Sequence, residues 1–181
     1  FDFAICDEKT EWCEEYTEQI RVPFAVESCL SGICRRVSAK DRLWYRKKLA
    51  ADTKGRKLLH FGAVDWQCKV FVNGEEVGSH TGGYCPFTVD ITSALKDGEN
   101  ELTVKVYDPT DEGWQNRGKQ AGESHGFWYT STSGIWQTVW LEKVSNNYIR
   151  NYKLTPDIDK GIINIKTHLH GKGELYLKIY D

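Results

Sequence analysis

Trp114, Arg117, Lys119, Gln120, Trp128 and Tyr129 all fall between Asp108 and Ser133, in a stretch that has no strand-like alternation. A connector between two strands usually needs only a handful of residues. This one instead sets indole and phenol rings beside a guanidinium, an ammonium and a carboxamide. A pyranose ring offers apolar C–H faces that pack on such rings, and hydroxyls that need hydrogen-bond partners. The six residues therefore read as candidate sugar contacts: Trp114, Trp128 and Tyr129 as platforms, Arg117, Lys119 and Gln120 as donors. The competing reading is packing, with Phe127 and Trp128 stapling the loop onto the body of the domain. Gly113, Gly118, Gly122 and Gly126 leave the segment poorly rigid by itself.

Other reactive groups are less organised. Asp108, Asp111, Glu112 and Glu123 crowd the same loop, but carboxylates in loops are usually solvated and nothing in the sequence fixes a pair. No catalytic residue is assigned. His168 and His170 share one strand face, as a metal pair would, yet no third ligand lies near in sequence, so a polar strand face is expected and neither metal nor cofactor. The six cysteines lack Cys-x-x-Cys spacing, and Cys68 alternates with Val70 and Val72 like a small apolar residue. Free, mostly buried thiols are expected, which leans toward a reducing, cytoplasmic setting. Twenty-four basic against 26 acidic residues, a net charge of -2, argues against nucleic acid as a partner. No apolar run approaches the roughly 20 residues of a membrane-spanning helix. The chain opens on Phe1 and contains no Met, which reads as a piece cut from a longer protein.

The elements that must hold the loop are strands. "QCKVFVNGEEVGSH" puts Cys68, Val70 and Val72 on one face and follows them with Asn73-Gly74, the residues of a type I′ hairpin turn. Phe87, Val89 and Ile91 alternate, as do Leu102, Val104 and Val106. In "GIWQTVWLE" Ile135, Val139 and Leu141 oppose Trp136 and Trp140, which predicts a central strand apolar on both faces. "TSALKDGEN" predicts one helical turn, capped by Thr92 and ended by Gly98. Asp65-Trp66 is expected to serve core packing, and the acidic run at 6–19 to form a solvated arm. Short strands with Gly and Asn turns make an all-β sandwich over residues 1–146. Residues 147–181 predict three more strands, with Ile163 and Ile165 on one face and Leu175 and Leu177 on another, too few to close a sandwich.

Four stretches resemble glycoside hydrolase family 2, the family of β-galactosidases, β-glucuronidases and β-mannosidases: "RVPFAVES" at 21–28, "LHFGAVDWQCKVFVNGEEVGSHTGGYCPFTVDIT" at 59–92, "DGENELTVKV" at 97–106 and "SGIWQTVWLE" at 133–142. The resemblance implies a jelly-roll, galactose-binding-like domain followed by the truncated start of an immunoglobulin-like sandwich. The family's catalytic (β/α)₈ barrel, with the two carboxyl groups about 5–5.5 Å apart that retention requires, would lie downstream of Asp181. The fragment alone is then non-catalytic. Its implied partners are carbohydrate, downstream domains of the same chain and a second copy in a homo-oligomer. In family β-galactosidases and β-glucuronidases an Asp six residues before the "SG" glycine reaches the active site; six before Gly134 stands Trp128, so sugar specificity does not carry over. The matching pattern also usually has an acid where Cys85 stands in "HTGGYCPF", which argues against a sugar contact there. Rival readings are a free-standing carbohydrate-binding module and a structural sandwich that only mediates protein contacts.

Overall fold

The computed structural model describes residues 1–180. The chain divides into two compact units, Phe1–Glu142 and Lys143–Asp181.

In the first unit the alternating sequences become two facing layers. The larger is a six-stranded sheet in the order β2 (Glu18–Gln19), β1 (Asp2–Asp7), β3 (Asp41–Ala51), β9 (Gly98–Tyr107), β6 (Gln67–Val72), β7 (Glu75–Thr81). Facing it are β13 (Val139–Val144), β4 (Arg56–Phe61) and β8 (Phe87–Asp90), with β12 (Gly134–Ile135) paired separately to β5 (Val64–Asp65). The inward residues line up across strands: Tyr45 opposes Val104 and Val104 opposes Val70, while Leu43, Val106 and Cys68 make the adjacent row. Leu59, Phe61 and Val89 close the core from the second layer. Each row is an alternation of period two turned into one buried face. Asn73 and Gly74 both take positive φ at the β6–β7 hairpin.

Five expectations are corrected. Cys29 and Cys34 form a disulfide, because the 3₁₀ turn Cys29–Ser31 and left-handed Gly32 bring their Cα atoms to 4.3 Å. The reducing, cytoplasmic reading rested on free thiols and loses that ground. The acidic arm is not simply solvated: Trp12, Cys13 and Tyr16 fold onto the outer face of the six-stranded sheet around Trp44, and Arg46 lies 4.2 Å over the Tyr16 ring. Thr92 does not cap a helix; its hydroxyl binds Asp90 in a short 3₁₀ turn, and Gly98 opens β9. "GIWQTVWLE" is broken at Trp136–Thr138, and β13 is an edge strand, so Trp140 is half-exposed and stacks on His60 at 4.8 Å. Asp108 is buried, at 3% exposure, whereas the sequence pointed to solvent.

The second unit is the antiparallel hairpin of β14 (Tyr148–Asp157) and β15 (Ile162–His170). The third strand expected beyond Gly171 does not form among the described residues: Gly173–Tyr180 pairs with nothing. Ile158, Ile162, Ile163 and Leu169 are all exposed, and a lone hairpin buries too little to be stable by itself. Amides of β14 and β15 are accordingly expected to exchange hydrogen far faster than those of β3 and β9; equal protection in a monomeric sample would show that the hairpin has a cover of its own.

Gly134 gives a sharper test. Its φ is +89°, and a Cβ there would collide with the hydroxyl of buried Tyr45. Gly134→Ala is expected to destabilise by about 1–3 kcal/mol in a denaturant melt, with part of the loss recovered by Tyr45→Phe.

Candidate functional site

The long loop begins and ends at one hydrogen-bonded knot. Asp108, the first residue after β9, accepts from the Ser133 hydroxyl at 2.6 Å and from the Thr110 amide at 2.8 Å. The Ser133 amide in turn donates to Glu27 at 2.9 Å. The ends of the loop are thereby clamped to each other and to the segment after Arg21. Inside it, Asp111 accepts from the Gly122 amide at 3.0 Å and Gln115 donates to the Thr110 carbonyl at 2.8 Å. A two-residue parallel pairing joins β10 (Gln120–Ala121) to β11 (Tyr129–Thr130). Despite its glycines the loop is tied from within.

Gln120 sits at the centre of what this builds. Its carboxamide oxygen accepts from the Thr132 amide at 2.6 Å, and its nitrogen donates to the Tyr84 hydroxyl at 2.8 Å. Its side chain also lies close enough to the Asp65 carboxyl to oppose the rise in that group's pKa. Asp65 is held in turn by the "TGGY" turn: a side chain at Gly83 would strike its carboxyl group, so only glycine lets the backbone approach. The Gly83 carbonyl accepts from the indole of Trp136 at 2.9 Å. Trp114 is 88% exposed and meets Trp66 edge-on at 5.9 Å. Tyr129 is exposed, and Trp128 is half-buried and stacks on exposed Phe127 at 5.2 Å.

The sequence-derived residues thus separate into groups. Gln120 joins Asp65 and Tyr84. Lys119 lies 5.6 Å over the Phe127 ring, alongside Trp128 and Tyr129. Trp114 pairs with Trp66. Arg117 turns inward and donates to the Asp111 carbonyl, which makes it a brace for the loop. Phe127 and Trp128 stack on each other, with Phe127 exposed and Trp128 half-buried. Sequence reasoning set Asp65 aside as core and discounted the Tyr84 segment. An acid closing the apolar run "FGAV", with paired glycines at 82–83, was the signal available for both.

Three carboxyl groups, Asp65, Asp108 and Glu27, lie close enough to feel one another. Burial, then the charges of Asp108 and Glu27, push Asp65 up to about 7, against a hydrogen bond from Gln120. Burial likewise raises Glu27 and Asp108, with the bonds from Ser133 opposing it. One Glu27 oxygen is buried without a hydrogen-bond partner.

A family description, glycosyl hydrolase 2 galactose-binding domain-like, matches residues 20–163. The chain belongs to glycosyl hydrolase family 2. It is 36% identical over 170 residues to a β-galactosidase of Thermoanaerobacter pseudethanolicus, covering 91% of this chain and 22% of that protein. It is 34% identical over 118 residues to a putative β-glucuronidase of Formosa agariphila, covering 62% of this chain and 13% of the relative. Among solved structures, Faecalibacterium prausnitzii β-glucuronidase superposes with a TM-score of 0.69 at 23% identity, over 93% of this chain and 34% of that one. This family 2 chain therefore spans less than a quarter of the two curated relatives' length and corresponds to their galactose-binding-like domain.

The carboxyl cluster gives the family 2 domain a signed pH dependence. An acid whose folded pKa is raised keeps its proton in the native state while the unfolded chain has lost it, so its stability cost appears between about 4 and 7 as pH rises. Asp2, lowered by its hydrogen bond from Gln19, and Asp97, lowered by Thr53, act the other way and lose their contribution as pH falls below about 4. Thermal stability should peak near pH 4 and decline toward pH 7. Asp65→Asn should flatten that decline and raise Tm at pH 8 by several degrees, each kcal/mol being worth about 2–4 °C in a domain of this size; a Tm profile identical to that of the parent would show that Asp65 stays ionised in the fold.

Proposed function

We propose that this is a non-catalytic, sugar-facing domain of a longer glycosidase that hydrolyses terminal β-glycosides with retention. Loop 108–133 supplies one wall of the substrate pocket, and the hairpin from Tyr148 opens an immunoglobulin-like domain that leads on to the catalytic one. The observation that supports this most is the Asp65–Gln120–Tyr84 cluster: an amide, a phenol and a carboxyl group held together beside the exposed rings of Trp114 and Tyr129. Hydroxyl-matching groups next to open aromatic faces are what a pyranose needs.

Within the chain the carboxylates do not make a glycosidase pair. Asp108 and Glu27 are both committed to Ser133, and Glu112 and Glu123 are simply exposed. Hydrolysis needs an acid and a nucleophile facing one substrate across a fixed gap, so those two groups belong to the remainder of the protein. Galactoside and glucuronide are both open as substrate, since relatives of each name match.

The test uses the full-length protein with nitrophenyl β-galactoside and β-glucuronide. Tyr129→Ala, Trp114→Ala and Gln120→Ala are expected to lower kcat/KM on the better substrate by about 1–3 kcal/mol each, with Tm shifted little by the two exposed-ring changes. Residues 1–181 alone should cleave neither compound. Unchanged kinetics in all three variants would leave the loop as packing, and turnover by residues 1–181 would overturn the non-catalytic assignment.

A further inference from the structure

The outer face of the six-stranded sheet carries an arrangement that sheet stability does not ask for. Lys69 on β6 lies directly opposite Lys105 on β9. Like charges in that position are destabilising. Arg42, from β3, lies over the Tyr107 ring at 4.1 Å in the next row, so three cations gather across adjacent strands. They line a groove of about 640 Å³, within the size range of sites that hold small ligands. Burial, and then the charges of Arg42 and Lys69, make it harder for Lys105 to hold its proton.

Protein partners satisfy these cations only in part. Lys105 donates to the Thr10 carbonyl at 3.0 Å and lies 4.8 Å over the Trp44 ring. Arg42 uses one terminal nitrogen, on the carbonyls of Ala39 and Asp41. Lys69 pairs with Glu76 at 2.9 Å, an exposed contact that a ligand can displace. Beside the cations the same face presents hydroxyl and amide groups. Ser79 is the cross-strand neighbour of Lys69, and Thr81 that of Gln67. Charge at one end and a strip of hydroxyl-matching groups at the other fit a polyhydroxylated anion.

We infer that this groove binds an acidic saccharide, its anionic group on Arg42, Lys69 and Lys105 and its ring hydroxyls on Gln67, Ser79 and Thr81. The groove shares no residue with the cluster of Asp65, Tyr84 and Gln120, so the two sites are separable by mutation. Carboxylate and sulfate both offer the anionic oxygens, and a carboxylate is the form tested first.

The measurement is calorimetric titration of the intact protein with an oligogalacturonate, a neutral galacto-oligosaccharide of equal length and a sulfated one. The oligogalacturonate should bind better than the neutral sugar, and more weakly as salt is raised. Lys69→Gln and Lys105→Gln should each weaken it about tenfold, the loss of one charge-assisted contact. Glu76→Gln, which frees Lys69, should tighten binding, a gain that damage to the fold cannot produce. Preference for the sulfated sugar, with the same response to the three substitutions, supports the site and names sulfate as the anion. Equal binding of acidic and neutral sugars, no binding at millimolar concentration, or indifference to all three substitutions overturns it.

Discussion

The hydroxyl of Ser133 donates to Asp108 while the amide of the same residue donates to Glu27, and through these two bonds one residue fixes where a long loop starts, where it ends and what it rests on. A loop pays more entropy to close as its ends are left freer. Here the ends are fastened to each other at hydrogen-bond distance, so the residues between have a fixed base. Gln120 can then bridge Asp65, Tyr84 and the Thr132 amide, because β10 and β11 leave the knot at a defined separation. The Asp108–Ser133 bond thus works together with Gln120's own bonds to Tyr84 and the Thr132 amide.

That knot has an electrostatic consequence. Burying Asp108 and Glu27 on one serine, with the charge of Asp65 near both, is unfavourable when all are ionised. The domain accommodates them by hydrogen bonds from Ser133, Thr110 and Gln120 and by letting Asp65 hold its proton near neutrality. The site at the loop is thus built from groups whose charge state is set by the fold. The outer sheet face instead draws three cations, Arg42, Lys69 and Lys105, into one groove with Glu11 and Glu76. Both are departures from what strand pairing alone would select, and such departures concentrate where proteins meet ligands.

The relatives put the domain in a larger frame. The chain matches less than a third of each curated relative named for β-galactosidase or β-glucuronidase, and the part it matches is the galactose-binding-like sandwich. The second unit is a two-stranded hairpin that leaves Ile158, Ile162 and Leu169 exposed.

Much of the sandwich was legible from alternation alone. Cys68–Val70–Val72, Leu102–Val104–Val106 and Asn73-Gly74 determine their own faces and turn, because side-chain direction in a strand follows from position in sequence. The residue types of the loop, Gln120, Trp114 and Tyr129 among them, could likewise be read from the sequence as candidates. What the sequence did not determine was which distant groups would meet. Asp108 looked solvated because its partner Ser133 lies 25 residues on, and Asp65, buried as its place in the sequence suggested, meets the turn at Gly83 only in three dimensions. The Cys29–Cys34 bond depended on a left-handed glycine between them, and the edge position of β13 on which strands closed the second layer. Periodicity is local and survives in one dimension; burial, charge state and partner choice depend on long-range contacts, and those only the tertiary structure decided.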